Sequence, residues 1–347
     1  MNTDCILAID IGAGTQDILL YDPEQSMENA VKLVLPSPTR IAAYRVREVT
    51  QRKKSLFLSG HVMGGGAVTR AIQNHIKQGL TVYSLEDPAL TMHDNLDYVR
   101  EMGVRLVETR PESEAIEVTL GDIDIPSLTN ALAHFEVPVP EITAIALQDH
   151  GYSPQVSNRL SRFSEWRRFL EDGGKIDALL YTDPPPRLTR MATALKARPG
   201  AFLMDTGAAA LRGAVLDDFA AQHLEDGVIA LNAGNSHTVA ALVKGDQVWG
   251  IYEHHTHMLN PELLGDQIKR FAVAALTHEE VFEQNGHGVA YNPGYSELKP
   301  FEHVVVTGPR REVAANLGHP AAPFGEMMLS GCFGLVEAIR KHQKQGI

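Results

Sequence analysis

A glycine-rich segment near the start of the chain carries residue types that could bind a phosphate group and its cation. Residues 10–17 are Asp-Ile-Gly-Ala-Gly-Thr-Gln-Asp. Glycines let a backbone turn tightly and direct its N–H groups at an anion, and Thr15 adds a hydroxyl donor. Asp10 and Asp17 offer the oxygen ligands that Mg²⁺ prefers, although glycines that only shape a hairpin between solvated acids would have the same spacing. The residues assigned to nucleotide and cation here are Asp10, Gly12, Gly14, Thr15, Gln16 and Asp17.

This segment resembles the phosphate-binding hairpin of the superfamily that contains actin, sugar kinases and the large heat-shock chaperones. That hairpin has the form Asp-x-Gly-x-Gly-Thr-x-Asp, and it is matched here by Asp10, Gly12, Gly14, Thr15 and Asp17. The resemblance implies a two-domain α/β fold of ribonuclease H-like type, with ATP and Mg²⁺ in the cleft between the domains. It also implies that Asp10 and Asp17 organise the Mg²⁺.

Two later segments extend the resemblance. Residues 231–238 are Leu-Asn-Ala-Gly-Asn-Ser-His-Thr and resemble the partner hairpin of the facing domain, with Asn232 where the superfamily often has Asp. The missing carboxylate argues against rapid hydrolysis. Residues 304–308 resemble the adenosine-binding segment, although any buried strand before a Gly-Pro turn has the same pattern. The nucleotide contacts assigned in these segments are Gly234, Asn235, Ser236, His237, Thr307 and Gly308.

Nearly the whole chain also resembles a family described as pyruvate formate-lyase activating enzyme-like. A glycyl-radical activase needs a three-cysteine motif for its iron–sulfur cluster, whereas Cys5 and Cys332 are the only cysteines here. The resemblance therefore implies a fold and a cleft, and not a radical S-adenosylmethionine enzyme. The matching features are Gly60 with Gly64-Gly65-Gly66, Gln148-Asp149-His150-Gly151, Asp205-Thr206-Gly207 and Glu253-His254-His255-Thr256.

Three candidate catalytic residues follow strand-like runs, where open α/β sheets place functional side chains. Asp149 and His150 come after apolar residues 144–147, and Asp205 comes after residues 202–204. Asp205 or Asp149 could orient a water molecule or an acceptor hydroxyl, but Asp205 could equally cap the helix that follows. Asp149 and His150 are not expected to pair, because neighbours on an extended chain point apart.

Histidines suggest a different site. Glu253, His255 and His257 alternate along a strand end, so we expect their side chains on one face, where they could bind a metal, contact a ligand or pack structurally. His61 precedes a glycine turn and could contact an anion at a helix start, although a turn that requires positive φ would also explain the glycines. The substrate contacts assigned in these segments are His61, Gly65, His254 and His255.

Alternating strand and helix patterns must position these residues, and their order predicts an α/β protein. Three prolines at 184–186 suggest a domain junction. We expect an N-terminal domain of residues 1–200 and a C-terminal domain of residues 201–347, with the last helix packing back on the first domain. Strands are predicted near 6–9, 18–21, 55–58, 80–83, 144–147, 202–204, 228–231, 238–243, 248–252 and 304–306, and helices near 68–76, 157–173, 187–196, 261–275 and 324–342, while 112–140 stays unassigned.

Charge and composition restrict the partners. The chain has 31 Lys and Arg against 43 Asp and Glu, a formal charge of −12, so no global positive field attracts nucleic acid or anionic lipid. The first residues lack a basic region and their apolar run is interrupted by Asp10, so we expect a cytoplasmic protein without a membrane span. The expected partners are a nucleotide and an unidentified small molecule or protein; a homo-oligomer stays open.

Three functions follow from these features. The favoured one is an ATP-binding protein of actin-like type that acts as an ATPase or phosphotransferase on an unidentified acceptor. The second is a non-catalytic, nucleotide-dependent activator of a metalloenzyme or radical enzyme. The third is a metal-dependent hydrolase that uses Glu253, His255 and His257.

Overall fold

The computed structural model describes residues 4–111 and 114–345. Residues 1–3, which entered the expectation of a cytoplasmic location, and residues 112–113, which begin the unassigned segment, lie outside the described residues. The strands are β1 (Ile6–Ile11), β2 (Thr15–Tyr21), β3 (Val31–Pro36), β4 (Leu56–Gly60), β5 (Val82–Ser84), β6 (Val104–Leu106), β7 (Ile116–Leu120), β8 (Ile142–Leu147), β9 (Phe202–Met204), β10 (Val228–Ala233), β11 (His237–Lys244), β12 (Gln247–His255), β13 (Gly288–Tyr291), β14 (His303–Thr307) and β15 (His319–Pro320).

The helices alternate with these strands as the α/β prediction requires. None of the described helices is long and apolar enough to cross a membrane. The helices are α1 (Pro38–Gln51), α2 (Ala67–Lys77), α3 (Glu86–Ala89), α4 (Leu96–Glu101), α5 (Ile125–Ala133), α6 (Asn158–Glu171), α7 (Thr189–Ala197), α8 (Thr206–Ala214), α9 (Asp218–His223), α10 (Pro261–Ala272), α11 (His278–Glu283) and α12 (Ser330–Gln345).

The first sheet has the strand order β3-β2-β1-β8-β9. Its first three strands are antiparallel neighbours, and β8 and β9 extend it in parallel from β1. All six residues of β1 are buried, as expected for a strand covered on both faces. The assignment of residues 202–204 to the second half is wrong, because β9 pairs with β8. A division at residue 201 therefore separates β9 from the sheet to which it belongs.

The second sheet repeats this arrangement. Its order is β13-β12-β11-β10-β14-β15, with β10, β11 and β12 antiparallel and β14 and β15 added in parallel. Only the edge strand β13 has no counterpart in the first sheet. The chain therefore contains the same order of strand directions twice. This duplicated α/β arrangement is the actin-like ATPase fold, and the predicted fold class is confirmed.

Two helices fill the space between the duplicated sheets. α8 follows a strand of the first sheet but packs on β10, β11 and β14, whereas α12 ends the chain and packs on β1, β2 and β8. The two helices approach closely because they meet at glycines: a Cβ on Gly213 would overlap the carbonyl of Ser330, and one on Gly334 would overlap that of Ala209. Residues of both sheets and both helices form one hydrophobic cluster.

Two further features affect the cleft. A small parallel sheet, β6-β5-β4-β7, lies in sequence between β3 and β8, has its own apolar core and carries the turn at residues 64–66. The sequence pattern predicted that the last helix begins at Phe324, but it begins at Ser330. Phe324 has a positive φ of 53° inside a separate 3₁₀ turn, a backbone conformation that cannot continue an α-helix.

Candidate functional site

Two glycine turns, one from each large sheet, have the same local geometry. In the first turn, residues 12–14, the N–H of Gly12 donates to the carbonyl of Thr15 at 2.9 Å. In the second turn, residues 234–236, the N–H of Gly234 donates to the carbonyl of His237, also at 2.9 Å. Each turn joins the first two strands of its own sheet, so the duplication of the fold places them at equivalent positions.

The two turns touch across the cleft. A Cβ on Gly14 would overlap the side-chain amide of Asn235 in the opposite turn, and a Cβ on Gly234 would lie 2.8 Å from the carbonyl oxygen of His237. Neither Gly14 nor Gly234 has a positive φ. The close approach of other atoms, and not a left-handed backbone conformation, therefore explains why these positions are glycines.

Two buried carboxylates lie beneath the first turn, on paired positions of β1 and β2. Asp10 accepts a 2.5 Å hydrogen bond from the hydroxyl of Thr206, and Asp17 accepts one from Thr15 at 3.4 Å. Oδ1 of Asp17 is buried without a hydrogen-bond partner among the described residues. Two neighbouring acids thus lie beneath the turn, and one of their oxygens is left without a partner among the described residues.

Burial changes the ionisation of both acids. It raises the pKa of Asp10 to about 7, against the hydrogen bond from Thr206. Burial and the charge of Asp10 raise the pKa of Asp17 to about 8. A bound cation would reverse this, because a nearby positive charge favours the ionised form.

Cavities lie on both sides of the touching turns. The smaller, of about 70 Å³, is lined by Asp10, Asp17, Thr307 and Gly308 among others. The larger, of about 220 Å³, is lined by the second turn with Ser236, by the turn at residues 64–66 and by side chains of α6 and α7. Apart from Gly14 and Gln16, the predicted nucleotide contacts line one or both of these cavities, which share residues of the two turns.

Three of the predicted contacts have specific local partners. Thr307 is fully buried and its hydroxyl lies 2.9 Å from that of Ser330. Gly308 has a φ of 100°, and a Cβ there would overlap the carbonyl of Ala233, so only glycine fits. Gln16 is a correction: its side chain donates to the carbonyl of Pro36 at 3.0 Å and lines neither cavity of the cleft.

Asp205 is a helix cap and not a free base. Its Oδ1 accepts the N–H groups of Gly207 at 2.9 Å and Ala208 at 3.4 Å at the start of α8. Arg162 binds both of its oxygens, with Nη1 at 2.6 Å and Nη2 at 2.9 Å. These contacts make Asp205 the cap of α8 and the ion-pair partner of Arg162, so the capping alternative describes Asp205.

Asp149 also has a structural place. Its oxygens accept the N–H groups of Gly151 at 2.8 Å and Met191 at 2.9 Å, and the side chain is 4% exposed. Burial raises its pKa in spite of these hydrogen bonds. The carboxylate holds the loop after β8 against α7, which corrects its assignment as a catalytic acid. The loop in turn positions His150, which lines the larger cavity.

Glu253 is the centre of a buried hydrogen-bond network. Its carboxylate accepts from Arg162 Nε at 3.1 Å, Trp166 Nε1 at 2.7 Å and Gln148 Nε2 at 3.0 Å. Burial opposes its ionisation, but the charge of Arg162 and the polar groups around it, including the Trp166 donor, together outweigh burial and hold the pKa of Glu253 well below its usual range. With its oxygens so occupied, Glu253 is not free to bind a metal.

The predicted metal set of Glu253, His255 and His257 is not assembled. His257 lies exposed in a 3₁₀ turn after β12. His254, expected to contact substrate, is buried on the opposite face of β12, where its Nδ1 lies 3.1 Å from the carbonyl of His255. The predicted substrate contact of His254 therefore needs correction: adjacent residues of a strand face opposite sides, so His254 points away from the face that carries Glu253 and His255.

A different group of histidines comes together. Ring nitrogens of His150, His237 and His287 all lie within 4.8 Å of one another. Burial lowers the pKa of His150 to about 3, of His237 to about 4 and of His287 to about 3. All three imidazoles are therefore neutral near pH 7. His255 lies beside them, with its ring centroid 4.7 Å from that of His287.

The turn at residues 64–66 contributes backbone rather than side chains. Gly65, for which a substrate contact is predicted, lines the larger cavity, and a Cβ on Gly64 would lie 2.7 Å from Nη2 of Arg190. The predicted substrate contact of His61 needs correction. Its Nδ1 lies 2.9 Å from a carboxylate oxygen of Asp87 on the surface, and the residue lines neither cavity.

Several residues of the cleft were missed. Thr206 lies in the Asp-Thr-Gly segment that was singled out for its acid, so its hydroxyl could have been included. Arg162 and Arg190 belong to helices with many other charges. Arg190 pairs with Oδ2 of Asp122 at 2.6 Å, although Asp122 is distant from it in sequence. His287 follows a loop with no motif. Local sequence does not identify such long-range contacts.

The sequence matches one family model. The family is described as "Putative pyruvate format-lyase activating enzyme (DUF1786)", and the match covers residues 63–313, more than half of the chain. The chain belongs to this family. In this DUF1786 member both cysteines are buried and free, and Sγ of Cys332 donates to the carbonyl of Asp17 at 3.1 Å. No curated protein matches the sequence.

Three solved structures that match this DUF1786 chain have low sequence identity to it. Ethanolamine utilization protein EutJ from Carboxydothermus hydrogenoformans is 10% identical, over 95% of this chain and 88% of that one, with a TM-score of 0.33. The (R)-2-hydroxyglutaryl-CoA dehydratase component A from Acidaminococcus fermentans is 10% identical over 98% and 99%, with a TM-score of 0.33. The activator of the 2-hydroxyisocaproyl-CoA dehydratase from Clostridium difficile, with bound ADPNP, is 7% identical over 99% and 98%, with a TM-score of 0.34. The fold assignment rests on the strand order. TM-scores this low add no support to it.

Proposed function

We propose that this DUF1786 protein binds a nucleoside triphosphate with Mg²⁺ between its two glycine turns, hydrolyses it slowly and uses the bound nucleotide as a conformational signal to a partner. One observation supports this most: two equivalent glycine turns from duplicated sheets meet across a cleft, with two buried acids beneath one of them. Such turns can direct backbone N–H groups at phosphate oxygens from opposite walls. Because the turns touch, binding requires them to separate and then close on the phosphates.

The acids fit a hard cation. Asp10 and Asp17 are oxygen ligands, both have raised pKa values, and Oδ1 of Asp17 has no partner among the described residues. Mg²⁺, when bound, would neutralise phosphate charge, as phosphoryl transfer requires. The chain's own contribution is positional: the hydroxyl of Thr206 holds Asp10, and that of Thr15 contacts Asp17.

The nucleoside end is proposed to lie beside Thr307 and Gly308. Both residues line the smaller cavity together with the acids and the second turn. The absence of a side chain at Gly308 brings backbone to the cavity wall, where a purine could stack or accept hydrogen bonds. The remaining turn residues, Asn235 and Ser236, would contact phosphate oxygens.

Slow hydrolysis follows from the state of the acids. The carboxylates that line the two cavities are Asp10, Asp17, Asp122 and Glu253. Asp122 is paired with Arg190 and Glu253 with Arg162, while Asp205 is a cap. Asn232 occupies the position in the second sheet that Asp10 has in the first. No carboxylate of the described cavity lining is therefore left to activate water or an acceptor hydroxyl, which favours a nucleotide-dependent activator over a phosphotransferase.

Calorimetric titration with ATP, ADP, GTP and a non-hydrolysable ATP analogue, each with and without Mg²⁺, tests this proposal. We expect Mg²⁺-dependent binding of a triphosphate and phosphate release slower than about 1 s⁻¹, the lower end of ordinary enzyme turnover. If no nucleotide binds in the presence of Mg²⁺, the proposed function is wrong. Turnover at ordinary enzyme rates, or transfer to a small-molecule acceptor, would instead establish the phosphotransferase.

A further inference from the structure

We infer that His150, His237 and His287 form a binding site for a borderline divalent transition-metal ion such as Zn²⁺, open to the larger cavity of the cleft. The three side chains come from separate segments: the loop after β8, the first position of β11 and the loop before β13. They nevertheless place one nitrogen each within 4.8 Å of the others. This site differs from the predicted set of Glu253, His255 and His257.

Two of the three rings, those of His237 and His287, already have the separation that ligation of one ion requires. A tetrahedral ion 2.0–2.1 Å from each nitrogen places its nitrogens roughly 3.4 Å apart and the ring centroids roughly 5 Å apart. The centroid separations here are 4.8 Å for His237 and His287, 6.3 Å for His150 and His237, and 6.4 Å for His150 and His287. An inward movement of His150, together with the loop that Asp149 holds against α7, would close the set.

The polar atoms of these rings lack other partners. No hydrogen bond to the three side chains occurs within residues 4–111 and 114–345. His287 is 1% exposed and its Nδ1 is buried without a partner. Buried polar atoms in native proteins are nearly always satisfied, and leaving one unpaired costs about 1–3 kcal/mol. A metal ion would supply the partner that the protein does not.

The surroundings define the kind of ion and site. Three imidazoles without thiolates suit Zn²⁺, Fe²⁺, Co²⁺ or Ni²⁺ and disfavour Mg²⁺ and Ca²⁺, which prefer oxygen. Glu253 is held by Arg162, Trp166 and Gln148, so it lies beside the site as a fixed charge and not as a ligand. The larger cavity borders His150 and His237, which leaves a coordination position for water or a small molecule, as in catalytic zinc sites with three protein ligands.

Metal analysis of the full chain, purified without a His tag and under reducing conditions, tests the site. We expect about one transition-metal ion per chain, or uptake of one Zn²⁺ or Co²⁺, with visible absorption bands for the Co²⁺ form. His150→Gln, His237→Gln and His287→Gln should each weaken metal binding by about 100-fold or more. His257→Gln, which changes an exposed histidine nearby, is the matched control and should bind like the wild type.

Three results would overturn the site: a wild type that binds none of Zn²⁺, Fe²⁺, Co²⁺ or Ni²⁺, ligand variants that keep the ion, or a control that loses it equally. If the variants do not fold, X-ray absorption of the metal-loaded wild type decides, since the site requires imidazole nitrogen neighbours and their absence refutes it. Asp10→Asn should keep the metal, so this test succeeds or fails independently of nucleotide binding.

Discussion

The two glycine turns have the same backbone but different side chains around them. In the first sheet, Asp10 pairs with Asp17 across β1 and β2. At the equivalent positions of the second sheet, Asn232 pairs with Val239, and the strand after the turn begins with His237 rather than a threonine. Duplication has thus kept the turn geometry and changed its chemistry. One turn lies over acids suited to a hard cation, whereas the other leads to imidazoles suited to a softer one.

Burial has opposite effects on the pKa values in the two regions. It raises the pKa of Asp10 and Asp17 and lowers the pKa of His150, His237 and His287. Both effects have one cause, because removal from water disfavours whichever form is charged. Near neutral pH the ligand-free cleft therefore carries less charge than its residues would in water, and in each region a bound cation would be stabilised by the groups already present.

Arg162 joins the two regions and gives the largest expected effect. It binds Asp205, which precedes the Thr206 that holds Asp10, and it also binds Glu253 beside the histidines. Arg162→Met keeps much of the packing on Trp166 but leaves two carboxylates buried without their partner. We expect a loss of about 3–5 kcal/mol in the free energy of unfolding, measured by denaturant titration.

Arg168→Met is the matched control for Arg162→Met, because Arg168 lies on the same helix with an exposed ion pair to Glu165 at 2.8 Å. It should cost less than about 1 kcal/mol. An Arg162 variant no less stable than this control would show that the buried network does not couple the two regions.

Bulky residues in the turns give the next largest effect. Gly14→Val would push against Asn235, and Gly234→Val against the carbonyl of His237. If both turns contact phosphate, each variant should lose the stabilisation by saturating Mg²⁺·ATP, about 2.7 kcal/mol at a hundredfold excess over Kd, in thermal unfolding with and without ligand. Ligand-free unfolding measures the cost to the fold separately.

Gly121→Val controls for added bulk, since a Cβ there meets nothing within 4 Å. It should keep the full ligand shift. Should only Gly14→Val abolish the shift, the second turn does not contact phosphate and the symmetry between the turns is purely structural. If both variants fold and keep the ligand shift, neither turn contacts phosphate.

The turns were predictable because their information is local. The residues from Asp10 to Asp17 are contiguous, and a glycine spacing within eight residues determines how the backbone can turn. The role of Asp205 was not predictable, because the choice between base and cap depends on Arg162, which lies 43 positions away in sequence. The sheet of β9 and the contribution of His287 were missed for the same reason. The duplicated sheets bring these segments together, and no short pattern in the chain records that contact.

Loss of one acid should have a moderate effect on the first turn alone. Asp10→Asn removes a cation ligand while its amide oxygen can still accept the hydroxyl of Thr206. We expect Mg²⁺-dependent nucleotide affinity to fall by about tenfold, or 1.4 kcal/mol, in calorimetric titration. Asp246→Asn, at an exposed pair with Lys175, is the control and should change nothing. Equal affinity of Asp10→Asn and wild type with Mg²⁺ would place the cation elsewhere.

The pH dependence of the free energy of unfolding also distinguishes the two regions, and it is the smallest of the expected effects. Histidines with lowered pKa values contribute stability above their unfolded pKa of about 6.5, and that contribution is lost as the pH falls toward 3–4. The raised pKa values of Asp10 and Asp17 act in the opposite sense, because the folded state retains protons that the unfolded state has released. Their contribution is fully present below about pH 4 and is lost as the pH rises through 7 and 8.

Only the acids among these five groups change stability appreciably between pH 7.5 and 8.5, because the histidines of the unfolded state are almost fully deprotonated above pH 7.5. With a chelator present, the free energy of unfolding should fall over this range by about 1 kcal/mol, measured by denaturant titration at fixed ionic strength. Asp17→Asn should flatten the slope, because it removes the acid whose pKa lies highest, whereas His287→Gln should leave the slope unchanged above pH 7.5 and reduce the loss of stability below it. Excess Mg²⁺ in place of the chelator should also flatten the slope, since a bound cation keeps both acids ionised in the folded state. A wild-type stability that is constant or rises from pH 7.5 to 8.5 would mean that the acids are already ionised without a cation. In that case the first turn would not differ from the second in the way its buried carboxylates suggest.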